Sequence, residues 1–149
     1  PRTTGDTALR YESLAAVVDC DAPLRTAATR PPDEATQVIA HHIAALVPDG
    51  ATVQCGIGQM PSQVLRLLGN HRGLRVHAGI VDDHVLGLEA SGALESGIPL
   101  VTGTAIGTAA LYDVLSDPRR FRFRAVAHTH AYETVARIPR FTAVNSVLV

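Results

Sequence analysis

The chain has 149 residues, about the size of one domain. It is 46% hydrophobic and 18% charged, with a formal net charge of −1, which disfavours low-complexity disorder and general attraction to nucleic acid or anionic membranes. All 13 basic residues are arginine, and the absence of lysine excludes Schiff-base, pyridoxal phosphate and P-loop lysine chemistry.

Cysteine content and apolar run length indicate the compartment. Cys20 and Cys55 are too few for a disulfide framework or a zinc site of their own, so we expect free thiols in a reducing cytoplasm. No apolar run reaches the roughly 18 residues that a membrane helix needs. The first residues also lack the apolar region of a signal peptide. We therefore expect a soluble cytoplasmic protein that binds neither membranes nor nucleic acid.

The first 32 residues differ from the rest of the chain. Residues 14–18 predict a strand, and residues 21–32 read as a linker rich in proline, threonine and alanine. Asp33 follows two prolines and predicts the N-cap of a first helix, which ends at the Pro-Asp-Gly turn of residues 48–50. An apolar stripe at three- and four-residue spacing predicts the buried face of this helix: Ala35, Val38, Ile39, His42, Ile43 and Leu46.

Beyond this helix, short apolar stretches alternate with helical patterns. The stretches at residues 51–55, 74–80, 98–102, 121–126 and 141–149 predict strands. A second helix is predicted to begin at Pro61, a third to cover residues 84–91 and a fourth residues 108–115. This alternation is typical of parallel βαβ units. We expect an α/β fold with an open, mostly parallel sheet of about five strands and helices on both faces.

A glycine loop of sequence C-G-I-G-Q-M-P joins the first strand of this series to the second helix, at residues 55–61. Glycines permit a sharp turn, and a helix N-terminus offers N–H groups to an anion or oxyanion. A tight structural turn is the alternative. A dinucleotide site is disfavoured because Pro61 stands where the fingerprint needs a third small residue, and the nearest acids are Asp82 and Asp83.

Ionisable residues follow the next strand, whose carboxyl end should lie near the glycine loop. Adjacent Asp82 and Asp83 point to opposite sides of an extended chain and form no dyad, and we expect Asp83 to cap the following helix. His77 and His84 have the chemistry of an acid and a base, although a lone histidine is more often structural.

Three other features allow a functional and a structural interpretation. His128 and His130 would share one face of a strand, but no third ligand follows and no metal site is expected. Arginines 120, 122 and 124 alternate with two phenylalanines, which indicates a solvated strand face or, alternatively, a phosphate contact. Cys55 at a helix N-terminus has the chemistry of a nucleophile, but we expect it to point into the sheet. No G-x-S-x-G elbow occurs.

Four motifs occur in a fixed order along the chain. They are P-R-T-T-G-D-T at residues 1–7, P-D-G-A-T-V-Q followed by G-I-G at residues 48–58, G-T with L-Y-D at residues 107–113, and N-S at residues 145–146. The ordered set resembles the acetyl-CoA hydrolase and acyl-CoA:carboxylate CoA-transferase family, which includes 4-hydroxybutyrate CoA-transferase. The resemblance implies a fold of the NagB/RpiA/CoA-transferase type, and coenzyme A as a substrate rather than a covalently held cofactor. It implies acyl-CoA binding at Gly56, Ile57, Gly58, Gln59, Met60 and Gly79.

Transferases of this family use a glutamate nucleophile just after a histidine, on the strand that follows the glycine loop. Here His77 keeps its place, but Gly79 stands where the glutamate is expected, so the covalent route cannot use this position. We therefore favour thioester hydrolysis by water over glutamate-based transfer, with His77, Asp82 or Asp83 as unranked candidate bases. The alternative is a catalytically silent subunit that binds acyl-CoA or a partner chain.

The resemblance also implies a domain assignment. Family members have two α/β halves and are roughly three times as long as this domain-sized chain. Residues 1–32 would be the end of an N-terminal half with its linker, and residues 33–149 a C-terminal domain that is incomplete at its C-terminus. We expect a missing segment or another chain to complete the fold and cover the apolar strand at residues 141–149.

Overall fold

The computed structural model of the protein describes residues 2–27, 31–56 and 58–145. Within these residues, five parallel strands form one sheet in the order β4-β3-β2-β1-β5. The strands are β1 (Thr52–Cys55), β2 (Arg75–Val81), β3 (Leu100–Ala105), β4 (Phe121–Phe123) and β5 (Phe141–Val144). The predicted α/β fold with an open parallel sheet is confirmed. The final part of the predicted last strand, residues 146–149, lies outside the described residues.

Helices connect the strands, as the alternating sequence pattern predicts. Those of the described residues are α1 (Glu34–Ala45), α2 (Gln59–Leu67), α3 (His84–Ala90), α4 (Ala109–Val114), α5 (Val126–His130) and α6 (Tyr132–Val135). None of them is long and apolar enough to span a bilayer. Asp33 caps α1 as predicted, because its Oδ1 accepts a hydrogen bond from the N–H of Thr36 at 2.8 Å.

Helix α2 begins at Gln59, two residues before the predicted start at Pro61. Gly58 precedes it with a φ of 125°, a left-handed backbone conformation that favours glycine and turns the chain directly into the helix. Pro61 then falls in the first turn of α2, where backbone N–H groups have no partner within the helix. The N–H that proline lacks therefore costs the helix no hydrogen bond.

The predicted buried face of α1 is wrong in part. Val38, Ile39 and Leu46 are exposed, whereas Ala40 and Ala44 are buried. Helix α1 packs against α2, and the small alanine side chains allow the two helices to approach closely. Of the predicted stripe, only Ile43 packs against the core, because Ala35 and His42 are exposed like Val38, Ile39 and Leu46.

The N-terminal segment has no strand at residues 14–18, where one was predicted; a short 3-10 turn at Tyr11–Ser13 precedes that stretch. Instead, earlier residues extend the edge of the sheet beside β4. The N–H of Phe123 donates to the carbonyl of Thr4 at 2.7 Å, and the N–H of Asp6 donates to the carbonyl of Phe123 at 3.0 Å. These contacts occupy the β4 edge that would otherwise be unpaired.

Residues 121–126 do not form one strand as predicted. Strand β4 ends at Phe123, and α5 begins at Val126, so His128 and His130 lie on a helix rather than on a strand face. The first turn of this helix is formed by hydrogen bonds from the N–H groups of His128 and Thr129 to the carbonyl of Ala125, at 2.8 and 3.2 Å. The buried side chain of Thr129 fixes this helix against the sheet.

Candidate functional site

The carboxyl ends of the parallel strands meet at one edge of the sheet, where ligands bind in open α/β folds. Two cavities of about 670 and 830 Å³ open at this edge. Ile80, near the end of β2, lines both of them. The predicted meeting of the glycine loop with the end of the next strand therefore occurs, but the predicted site residues are divided between two adjoining cavities.

Gly79 lines the first cavity beneath the imidazole of His130. A Cβ built on Gly79 would lie 2.8 Å from Nε2 of His130 and would also collide with its Cε1. Only a residue without a side chain fits under the imidazole in this arrangement. The space beside residue 79 is thus occupied by a side chain from α5.

Gly103 of β3 lies closest to the backbone of β2 and also borders Thr129 of helix α5. A Cβ on Gly103 would lie 2.9 Å from the carbonyl oxygen of Gly79 and 3.7 Å from Oγ1 of Thr129. The Thr129 hydroxyl, which is buried, lies 2.9 Å from Nδ1 of His130. Gly79 and the Thr129 hydroxyl therefore both contact the His130 ring.

His77 lies two residues before Gly79 on β2, is buried beneath the same helix α5, and lines neither cavity. Its ring faces that of His128, with the centroids 5.7 Å apart. Burial lowers the pKa of His77 below its ordinary value, and the neighbouring His128 lowers it further. Its buried Nε2 has no hydrogen-bond partner among the described residues. These features make His77 a neutral internal histidine.

The glycine loop lies beside Asn145, the residue that follows β5. A Cβ on Gly56 would approach Oδ1 of Asn145 to 2.9 Å, so this glycine is needed for close contact. Gly56 lines the first cavity with Asn145, whereas Gly58 and Gln59 line the second. Ile57, predicted to bind acyl-CoA, lies outside the described residues. The side chain of Met60 packs against the core and lines neither cavity.

Asp82 connects two elements of the second cavity. Its Oδ2 accepts from the Ser62 hydroxyl at 2.6 Å, and its Oδ1 accepts from the backbone N–H of His84 and lies 3.0 Å from Nδ1 of the same residue. Burial raises the pKa of Asp82, but the hydrogen bonds from His84 and Ser62 outweigh burial and hold the pKa below its ordinary value. This carboxylate is ionised and hydrogen-bonded.

Asp83 does not cap α3 as predicted, because its side chain makes no such hydrogen bond. It accepts instead from the N–H and the hydroxyl of Thr108, at 2.9 and 2.5 Å, at the start of α4. Gly107 leaves room for this carboxylate, which a Cβ would strike. Asp82, rather than Asp83, accepts from the first N–H of α3. The two aspartates therefore bind different partners.

Cys55 is buried at the end of β1, as predicted. Burial raises the pKa of its thiol to about 12, with a further contribution from the negative charge of Asp82. The thiolate required of a nucleophile is therefore scarce at neutral pH.

The alternation in β4 is confirmed, because Phe121 and Phe123 are buried and Arg122 is exposed. The flanking arginines are engaged in ion pairs, Arg120 with Glu89 and Arg124 with Asp6. Asp6 and Arg124 both line the first cavity. No group of three or more histidines, cysteines or acids in the described residues is arranged to hold a metal ion.

Several residues of the two cavities carry no signal in the sequence pattern. The local pattern predicts a strand for His130 and Thr129, and it indicates neither Ser62 nor the pairing of Asp6 with Arg124. The ordered motifs did contain Asp6 and Asn145, so the resemblance was the available guide to these two. Nothing local in the sequence indicates that His130 reaches Gly79, because that contact depends on tertiary packing.

The chain is similar to curated CoA-transferases. It is 31% identical over 155 aligned residues to a succinyl-CoA:acetate/propanoyl-CoA:succinate CoA transferase of Fasciola hepatica, covering 99% of this chain and 32% of the relative. It is 26% identical to a 4-hydroxybutyrate coenzyme A transferase of Clostridium kluyveri, covering 98% of this chain and 35% of the relative. No protein-family profile matches the chain.

The fold is that of a solved CoA-transferase. The 4-hydroxybutyrate CoA-transferase of Porphyromonas gingivalis matches with a TM-score of 0.86 at 24% identity, over 97% of this chain and 38% of that structure. The resemblance found in the ordered motifs is therefore confirmed in sequence and in fold. The chain spans about a third of the length of the curated relatives that it matches.

Proposed function

We propose that this chain forms an acyl-CoA-processing domain in which water, rather than a glutamate of the chain, attacks the thioester. The observation that carries the proposal is the cavity at the carboxyl edge of the sheet, beside the glycine loop, with Gly79 at the position where the CoA-transferase resemblance implies a glutamate. The fold and the glycine loop support acyl-CoA binding. Glycine at this position provides no nucleophile for covalent transfer.

The acyl-CoA thioester would bind at the boundary between the two cavities. Gly56 and Gly79 line the first cavity and Gly58 and Gln59 line the second, and Ile80 is shared. The first turn of α2 begins at this edge with Gln59, and the free backbone N–H groups of a first helical turn suit the oxyanion of a tetrahedral intermediate. Coenzyme A is then a substrate and leaving group. Ile57 stays a predicted contact.

A silent subunit is the second candidate, and the hydrogen bonding of the predicted bases favours it. His77 is buried away from the cavities, Asp82 is held by Ser62 and His84, and Asp83 is held by Thr108. If no other residue activates water, the domain would bind acyl-CoA or a partner chain without turnover. The two candidates differ only in whether thioester is consumed.

The similarity to CoA-transferases also supports a proposal about the domain organisation of the chain. We assign residues 1–32 to the end of an N-terminal half with its linker and residues 33–149 to a C-terminal domain. The N-terminal segment reaches the candidate site through the Asp6–Arg124 ion pair. A further segment or a separate chain would complete the binding site, as the length of the relatives suggests.

The test is native mass spectrometry of the purified protein, with any chain that copurifies, in the presence of acetyl-CoA or butyryl-CoA. Free CoA and newly formed acyl-CoA are followed in the same samples, with and without an acceptor carboxylate. Hydrolysis predicts binding and steady CoA release that does not depend on the acceptor. Transfer predicts that the CoA moves to the acceptor as a new acyl-CoA, without accumulation of free CoA. A silent subunit predicts binding with neither free CoA nor a new acyl-CoA. A failure to bind either acyl-CoA would contradict both candidates.

Isotope labelling separates water attack from a covalent route. In a single turnover in H₂¹⁸O, direct attack places ¹⁸O in the released carboxylic acid and none in the protein. A covalent acyl-enzyme anhydride that is hydrolysed at the enzyme carbonyl would place ¹⁸O in a protein carboxylate. Label found in a protein carboxylate would contradict direct attack by water.

A further inference from the structure

The imidazole of His130 fills the space beside Gly79. Nε2 is 2.8 Å from the point that a Cβ of residue 79 would occupy, and the three atoms nearest to that point all belong to His130. Gly79 is also the position at which the resemblance implies the nucleophilic glutamate. The titratable imidazole of His130 on α5 therefore occupies the space that a side chain at residue 79 of β2 would fill.

Thr129 orients this imidazole. Its hydroxyl donates to the carbonyl of Val126 at 3.4 Å and lies 2.9 Å from Nδ1 of His130. Because a hydroxyl has a single hydrogen, a hydroxyl that donates to Val126 accepts from Nδ1–H. The lone pair of the neutral ring is then on Nε2, the nitrogen that lies over Gly79.

We infer that His130 is the general base that activates water in the first cavity, and that Thr129 is its positioning residue. The inference rests on the proposed thioester hydrolysis. Water forms a bond to the thioester carbonyl carbon and gives a proton to Nε2 of His130. Collapse of the tetrahedral intermediate breaks the C–S bond, and the imidazolium returns the proton to sulfur. The products are a carboxylic acid and the CoA thiol, with no other reactant.

The neighbouring ionisable groups are less suited to this role. Asp6 lines the same cavity but is paired with Arg124. His77 is buried with its ring against His128. The His130 side chain, in contrast, is exposed and lines the cavity, so water and substrate reach it.

The first test compares His130→Gln with His128→Gln, a matched change on the same helix. Both are made in the native protein with any chain that copurifies, and acetyl-CoA is the substrate. Loss of a general base is expected to lower kcat about 10²- to 10⁴-fold in H130Q, while acetyl-CoA binding by native mass spectrometry is retained. H128Q is expected to keep the wild-type rate.

The outcomes separate this inference from the proposed function. If the wild-type protein hydrolyses acetyl-CoA and H130Q does so equally fast, His130 is not the base, although hydrolysis by the domain stands. If the wild-type protein binds acetyl-CoA without releasing CoA, the proposed hydrolysis fails, and the role of His130 fails with it.

The second test observes the ring directly by ¹⁵N NMR of histidine-labelled protein, with H130Q used to assign the His130 signals. The expected neutral form has its hydrogen on Nδ1. The Nε2 signal should shift when an acetyl-CoA analogue with methylene in place of the thioester sulfur is added. Thr129→Val should alter the tautomer balance and lower kcat, whereas Thr129→Ser, which keeps the hydroxyl, should restore both. A hydrogen found on Nε2 in the wild-type protein, or an unchanged tautomer in T129V, would overturn the assignment.

Discussion

The rings of His77 and His128 face each other with their centroids 5.7 Å apart and their planes inclined by 46°. Burial is the main reason that the pKa of His77 lies below the ordinary 6.5, and the charge of a protonated His128 is the next. Hydrogen bonding to the backbone of Thr129 and His128 partly offsets both effects. The folded protein therefore disfavours a proton that the unfolded chain accepts readily.

This difference predicts a pH-dependent stability. Above the unfolded pKa of 6.5 His77 is neutral in both states, and its contribution is constant. As the pH falls through that value, the unfolded chain binds the proton first, so the free energy of unfolding decreases until the folded pKa is passed. Urea denaturation at about pH 8 and about pH 5.5 measures the decrease.

The control is the same pair of measurements on His77→Asn, which has no titrating group at this position. The decrease between the two pH values should be smaller in H77N than in the wild-type protein, whatever its absolute stability. His128→Asn should keep most of the decrease because burial of His77 remains. An equal decrease in H77N and the wild-type protein would show that other groups cause it.

A second prediction concerns the contact between β3 and β2. Gly103→Ala would place a Cβ 2.9 Å from the backbone oxygen of Gly79, which cannot rotate away. We expect overpacking to lower the free energy of unfolding by about 1–3 kcal/mol. Gly87→Ala is the matched control, because a Cβ on this exposed position of α3 meets nothing within 4 Å. It should raise stability by about 1 kcal/mol through helix propensity. Equal effects of the two substitutions in urea denaturation would contradict the packing argument.

The order of strands and helices was predictable from the sequence because alternation of elements and end signals are local properties. Asp33 after two prolines identified the start of α1, and the glycine loop identified the turn between β1 and α2. The buried face of α1 was not predictable in the same way. Its larger aliphatic residues suggested one face, but Ala40 and Ala44 are buried because α2 packs closely against them, and that closeness is a property of two helices together.

The site was predictable only at the level of the sheet edge. Because the carboxyl ends of parallel strands meet at one edge of a sheet, the sequence predicts that Asp82 and Asp83 lie near the glycine loop. It does not predict their hydrogen-bond partners, which come from α2 and from the start of α4. Similarly, the alternation of arginine and phenylalanine around Phe123 favours a longer strand. In the structure the chain forms helix α5 instead, and Thr129 of this helix is buried beside Gly103. Such contacts join residues that are far apart in the chain, so local sequence patterns do not predict them.

A third prediction distinguishes the two thiols. Cys20 is exposed, whereas Cys55 is buried, and burial raises the pKa of Cys55 to about 12. Because the thiolate is the reactive species, iodoacetamide at about pH 8 should modify Cys20 in the folded protein and leave Cys55 intact. Intact-mass measurement should then show one added group per chain, and two after denaturation. Folded Cys20→Ser protein should remain unmodified, and rapid labelling of that variant would mean that Cys55 is accessible.

The last prediction tests whether His130 and the family glutamate compete for one place. The nearest obstacles to a side chain at residue 79 are atoms of the His130 imidazole, so His130→Ala makes room for Gly79→Glu. If the glycine loop presents the thioester carbonyl to residue 79, G79E/H130A should form a glutamyl-CoA thioester when mixed with acetyl-CoA. The adduct is a mass increase of one CoA less one water. G79Q/H130A is the matched control and should form none, because an amide is not a competent nucleophile. If G79E/H130A binds acetyl-CoA as well as H130A does but forms no adduct, residue 79 does not face the thioester carbonyl.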